Sequence, residues 1–450
     1  MPTNVDSTPL PTDPAGTLAQ LLRDRTLSDP DYWSFRNVRG RSGSHGFFQY
    51  PAMMVPELQG ALLDDALMAD PTIRTVYDPF TGSGTVLVEA LHRGLNFHGT
   101  DINPMAVLLA QVKATPPTVE EAAAGLVTLQ DLLGSTKAVE PRYFAFSDKW
   151  FHDDVTADLS QLRHAIARLD PLNLRRYFWV CLAETVRLVS NSRISTFKLH
   201  AYSSEVLATR RPDATKVFLQ VFRSNLERLK QHWIRVATAP TPSDGERFAL
   251  ILQGPVAEKW SAPRSPVDVL MTSPPYGDNK TTVPYGQHSY LALQWIDTND
   301  IPGGFSPDLL TSTSRIDALS LGGSVRNATS YMEELTDASP ALGGFLPLLD
   351  GRKALVAKVL AFVNDYRRAI DASSERLRHG GFSFFTLGER RVGGQLFPLV
   401  EITQDLLAAA AHSEIALLTR TLPRGSKRMA ERNSEGATMG LEYVLVSQKD

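Results

Sequence analysis

The sequence holds a single cysteine, Cys181, among 450 residues, so no intramolecular disulfide can form and a reducing, cytoplasmic setting is expected. No apolar run approaches the roughly 20 residues of a membrane-spanning helix, and the N-terminus lacks the basic-then-apolar pattern of a secretory signal. No membrane partner is therefore expected. The 10 histidines are scattered, with no C-x-x-C and no H-E-x-x-H, which argues against a bound metal. Charge of one sign is also missing. Lys and Arg number 46 against 49 Asp and Glu, so there is no global attraction for polyanions and any nucleic-acid surface must be a local patch. What is there, 43% hydrophobic and 21% charged residues, suits a globular protein with two or three domains or one large core carrying insertions.

Residues 1–45 are read as an N-terminal tail, because 1–30 are rich in Pro, Thr and Asp without periodicity. A β/α rhythm follows. "TVYDPF" predicts a strand, "TGSGT" a tight turn, and "TVLVEALHRG" a helix stopped by Gly94. "NFHGTDI" predicts the next strand, and "NPMAVLLAQVKA" a helix with Asn103 as N-cap and Pro104 at its first position. Alternating units of this kind imply an α/β fold with a doubly wound, mostly parallel sheet. Residues 46–117 form the first half of this domain. Residues 118–245 read as an α-helical insertion, the rhythm resumes over 246–280, and 281–349 is a Gly-, Ser- and Thr-rich variable segment. The remainder, 350–450, supplies a helix over "KVLAFVNDYRRAIDASSERLRHGG", a strand over "FSFFTLGE", a helix near 397–411 and a terminal hairpin from "EIALLTRTL" and "LEYVLVSQ".

The loop "DPFTGSGT", Asp78 to Thr85, sits where a glycine turn brings backbone close to a ligand and aims a helix N-terminus at it. It lacks the lysine of a Walker loop, and Leu87 stands where a dinucleotide fingerprint needs its third glycine. Two glycines without a third suit a ligand with no pyrophosphate to cradle. Asp101, ending the next strand ahead of Ile102, is placed to accept from ribose hydroxyls. An adenosine-bearing cofactor without a diphosphate is S-adenosylmethionine. The plainer alternative is an ordinary β–α turn with Asp101 capping a helix.

"DPFTGSGT" followed far downstream by "TSPPY" resembles the amino-directed DNA methyltransferases, the N4-cytosine and N6-adenine family. "FFQYPAMMVPEL", Phe47 to Leu58, is similar to that family's third signature, which covers the methionine end of the cofactor. The closing "TRTLPRGSKRM" and "EYVLVSQK" are similar to its terminal basic loop and last strand. The resemblance covers roughly 47–114 and 248–290, and more loosely 355–450. It implies a Rossmann-like class I methyltransferase fold. It also implies cofactor contacts from Tyr50, Pro51, Asp78, Phe80, Gly82, Ser83, Gly84, Thr85, Asp101, Ile102 and Gln253.

"VDVLMTSPPYGDN" carries the chemistry. An exocyclic amino nitrogen is a poor nucleophile because its lone pair is delocalised into the base. Methylation needs its hydrogens held by acceptors while the lone pair faces the sulfonium methyl. Pro274 and Pro275 offer no N–H and fix an extended backbone. The Ser273 hydroxyl and the Pro274 carbonyl are then free to accept. Tyr276 offers a ring for an extruded base to stack on. A sulfonium is already an activated leaving group, so no metal is needed. Serine at the first loop position usually accompanies cytosine N4 within the family, so Ser273 favours cytosine, with adenine N6 open. Alone, "SPPYG" also reads as a rigid turn.

Relatives often carry Asp after the strand preceding the proline loop, where this chain has Gln253 and Gly254. No recognition domain is expected beyond the final strands, so target recognition in double-stranded DNA is expected within 118–245 or 281–349. Residues 187–230 carry nine Lys and Arg against three Asp and Glu. Arg193, Lys198, Arg210 and Arg211 there, with Lys280, Arg424, Lys427 and Arg428, are the candidate DNA contacts, against the reading of a solvated helix face. Phe178, Trp179 and Phe222 fall on helical spacing and read as core. An RNA guanine-N2 methyltransferase and a non-catalytic nucleic-acid-binding subunit are the rival functions. A cognate restriction or defence component is a candidate partner.

Overall fold

A computed structural model describes residues 13–36, 38, 40–135, 139–240, 248–256, 266–277, 283–349, 351–421 and 440–450. Its sheet strands are β1 (Thr75–Asp78), β2 (Asn96–Asp101), β3 (Ala249–Gln253), β4 (Val267–Thr272) and β5 (Leu377–Gly388), then β8 (His412–Thr421) and β9 (Leu441–Lys449). A separate small hairpin pairs β6 (Arg390–Val392) with β7 (Gln395–Phe397). The seven-stranded sheet runs β3-β2-β1-β4-β5-β9-β8, with β3, β2, β1, β4 and β5 parallel. β9 lies antiparallel between β5 and β8. The final strands thus form the expected hairpin, but its second arm is inserted into the sheet.

Strand alternation builds the two faces. Val76, Val269, Met271, Phe384 and Val446 feed one buried cluster, while their neighbours Tyr77, Leu270, Phe385 and Leu445 feed the other. Asp268, the one charged residue of β4, accepts from the Arg74 and Thr75 amides and from Arg378 Nε. That satisfies a carboxylate at the strand's entry. On the first face lie the helices Pro56–Ala69, Thr85–Leu91 and Pro104–Ala114. Lys353–Ser374 and Leu399–Ala409 cover the second.

Helices fill the predicted insertion: Val119–Ser135, Asp153–Ile166, Leu172–Val189 and Ala214–Thr238. Phe178, Trp179 and Phe222 are fully buried, with the Phe178 and Phe222 rings 5.2 Å apart. This core is continuous with that of the first sheet face, so the insertion packs onto the domain that carries it.

Three expectations need correction. Within the described part of the expected N-terminal tail, Pro14–Ser28 is a helix that buries Leu18 and Leu22 in the first cluster. Asp13 caps it by accepting from the Gly16 amide, and Arg25 grips the buried Asp65 through Nε and Nη2. The late helix is Lys353–Ser374, and "LRHGG" belongs to β5, where Gly380 at φ 72° accommodates an irregular register against β4. Residues 281–349 contain ordered helices, among them Tyr285–Leu293, Met332–Ala338 and Pro340–Phe345. Among the described residues, no helix is long and apolar enough to cross a membrane.

Candidate active site

Sheet order reverses between β1 and β4. The chain runs outward through β2 and β3, then returns to place β4 on the other flank of β1. A crevice beyond the carboxyl ends of strands at such a switch point is where open parallel sheets bind ligands. Here β1 ends at Asp78 and β4 at Thr272, so the glycine loop and the proline loop leave adjacent strands in the same direction. A side-chain hydrogen bond joins them: Thr272 Oγ1 donates to Asp78 Oδ1 at 2.6 Å. The Phe80 amide donates to the same oxygen. Asp78 is fully buried, and that burial pushes its carboxyl up to about 7.

Gly82 at φ 50° and Gly84 at φ 73° take left-handed backbone that side chains resist, which turns the chain into the helix Thr85–Leu91. Asp101 holds this turn by accepting from the Gly82 amide at 2.8 Å with one oxygen and from the Asn103 amide with the other. Burial raises its carboxyl to about 6, against the pull of those amides. The Lys113 ammonium, itself buried, donates to the Ser83 carbonyl from beneath.

A cavity of about 760 Å³ opens over these loops. Of the expected cofactor residues, Tyr50, Pro51, Phe80, Gly82, Ser83, Thr85, Asp101, Ile102 and Gln253 line it; Asp78 and Gly84 support the loop from behind. Ser273 and Pro275 line the same cavity, while Pro274 is buried behind them. The Tyr276 ring is half-buried against the second apolar cluster, and its hydroxyl lies 3.2 Å from Ser273 Oγ. Gln253 Oε1 is buried without a hydrogen-bond partner among the described residues. An orphaned acceptor at the end of β3 fits the amino group of an adenine. The donor set therefore fits an adenosyl cofactor. No group of three or more metal-ligating side chains occurs among the described residues.

Tyr285 and Asn103 also line the cavity, outside the site residues named from the sequence. Tyr285 stacks on Tyr50 with ring centroids 5.7 Å apart. Asn103, read only as a cap, does cap its helix by accepting from the Met105 amide, and its Nδ2 also donates to the Tyr50 hydroxyl and to Ser289 Oγ. A capping asparagine directly after the ribose-side aspartate was the available signal.

The basic candidates divide. Arg193 and Lys198 are exposed on the loop 191–202, pinned by a bridge between Ser192 and Ala201. That loop rests on the helix Tyr285–Leu293: the Leu199 amide donates to Gln287 Oε1, and Phe197 meets His288 edge-on. Arg211 is exposed. Arg210 is turned inward; its guanidinium donates to the Leu188 and Ser190 carbonyls and lies over the Tyr202 ring, capping a helix C-terminus. Lys280, Arg424, Lys427 and Arg428 lie outside the described residues.

Fold and crevice together define a Rossmann-like methyltransferase architecture. No protein-family profile matches the chain. It is 28% identical to Type II methyltransferase M.MvaI of Kocuria varians over 451 residues, covering 96% of this chain and 95% of that protein. It is also 24% identical to Type II methyltransferase M.MjaII of Methanocaldococcus jannaschii over 220 residues, 49% of this chain and 33% of that one. Both similarities support a methyltransferase.

Proposed function

We propose that the chain transfers a methyl group from S-adenosylmethionine to the exocyclic amino group of a base turned out of double-stranded DNA, and that the base is cytosine, methylated at N4. The observation that carries this reading is the shared cavity: Ser273 and Pro275 open onto the space lined by Gly82, Ser83, Asp101 and Gln253. The near full-length similarity to a type II methyltransferase supports it.

When bound, the cofactor supplies a sulfonium-activated methyl group. This chain's residues do the rest. Gln253 Oε1 accepts from the adenine amino group, Asp101 accepts from the ribose hydroxyls with its remaining lone pairs, and Tyr50 and Pro51 cover the methionine end. Ser273 Oγ and the Pro274 carbonyl hold the target amino hydrogens, while the adjoining prolines present no competing N–H. Tyr276 offers its half-buried ring for the extruded base to stack on. Arg193, Lys198 and Arg211 contact DNA phosphates.

Tritium transfer from labelled cofactor to DNA and to tRNA separates this reading from RNA guanine-N2 methylation. Identifying the modified base in DNA from expressing cells then separates cytosine N4 from adenine N6. Ser273→Ala should lose at least about tenfold in kcat while binding cofactor as the wild type does. Full activity in that variant, or transfer to tRNA alone, overturns the proposal.

A further inference from the structure

We infer that Glu442, on β9, is a positioning residue that sets which way the Ser273 hydroxyl points its hydrogen; the inference rests on the amino-methylation reading above. Tyr276 Oη donates to Glu442 Oε1 at 3.2 Å, and the same phenol oxygen lies 3.2 Å from Ser273 Oγ. Behind Glu442 stands Arg420 of β8, its direct cross-strand partner in the antiparallel register. Arg420 Nε is 3.5 Å from Glu442 Oε2, and Arg420 is only 2% exposed. A buried guanidinium beside a carboxylate keeps that carboxylate ionised.

Direction along this chain follows from what each group can give. An ionised carboxylate has no hydrogen to donate, so between Tyr276 and Glu442 the phenol is the donor. Burial first, then the Glu442 charge, holds the Tyr276 phenol well above its ordinary range, so it keeps its hydrogen at any working pH. With that hydrogen committed to Glu442, the phenol oxygen accepts from Ser273. The Ser273 hydroxyl hydrogen then points away from the cavity it lines, and its lone pairs face inward. Lone pairs are what an amino group with two hydrogens requires. Were Glu442 unable to accept, the phenol would turn its hydrogen toward Ser273, and the serine hydrogen would face the incoming amino group. Ser273 acts on substrate; Glu442 acts through Tyr276.

Glu442→Gln is the decisive variant. Arg420 holds the amide oxygen on its own side, so the amide nitrogen faces Tyr276 and reverses the chain. In the full-length protein we expect Glu442→Gln to lower kcat for DNA methylation about tenfold or more, with cofactor affinity and the KM for DNA unchanged. Tyr276→Phe, which keeps the ring, should show the same split. Combining the two should cost no more than the worse single change, because both cut one chain. Wild-type kcat in Glu442→Gln, or losses that multiply in the double variant, overturns the inference and leaves the methylation reading intact. A wild type that methylates no DNA overturns both.

Discussion

Lys113 is the residue the sequence hid best. It ends an apolar helix, where a lysine reads as a solvated tail facing the helix dipole. The fold instead buries it completely, and its ammonium hydrogen-bonds the Ser83 carbonyl beneath the glycine turn. Desolvation, helped by nearby Arg41, pulls its pKa down from 10.5 to about 7. Between those two values the unfolded chain holds the proton and the folded one releases it, so this group makes stability rise with pH across that window. Asp78 and Asp101, raised to about 7 and about 6 by burial, act oppositely, because the folded state holds the extra proton below those values. Comparing Lys113→Met with the wild type cancels the aspartates. The difference in unfolding free energy, variant minus wild type, should fall by roughly 1–3 kcal/mol between about pH 7 and pH 9. A difference that does not change with pH would show that Lys113 keeps its proton in the folded state across that window. The placement of Asp78, Gly82, Gly84, Asp101 and Ser273 at the strand ends was legible because short local motifs carry it; that of Lys113 was not, since only packing decides what it meets.

Elements fared differently according to whether their signals are local. Strands and helices around the glycine loop follow their periodicity, with Gly94 at φ 72° ending one helix as expected. Segment 281–349 gave weak periodicity because its helices are short and anchored from afar. Asp317 accepts from the Gly286 and Gln287 amides and so caps a helix that begins some thirty residues earlier. The hairpin of β6 and β7 was missed although "RRVGGQLF" carries its sign: Gly393 and Gly394, both at positive φ, make a two-residue turn. Asn103 binds these pieces into one wall, joining the Tyr50 segment, the end of β2 and the helix Tyr285–Leu293. Asn103→Ala therefore removes a cap and three cross-segment bonds. Stability should drop by about 1–2 kcal/mol in thermal melts. Cofactor affinity, read by calorimetry, should weaken about tenfold, since the stacked Tyr50 and Tyr285 rings lose their common tether. Unaltered affinity would show that the rings hold the cavity wall unaided.

At the scale of the whole molecule, the sheet order determines where the chemistry falls, and alternation along each strand determines that two apolar layers form. The layers were legible, because strand and helix periods dictate them; the strand order was not, since pairing between segments distant in sequence sets it. The N-terminal helix was not: its buried stripe is only Leu18 and Leu22, too narrow to register as amphipathic. It is a helix because it docks, lying on the helix Pro56–Ala69 and against β8. The contact includes an ion pair from Arg25 to Asp65, whose side chain is wholly shielded from water. Such a pair adds little over an apolar contact, yet breaking one half leaves a charge buried without a counterion. Arg25→Met should thus cost about 3–5 kcal/mol in urea unfolding, a large share of the stability of an ordinary domain. Adding Asp65→Leu should recover most of that loss, since no charge then remains inside. If Arg25→Met alone is silent, or the second change fails to restore stability, the helix is held by Leu18 and Leu22 and the ion pair is incidental to the fold.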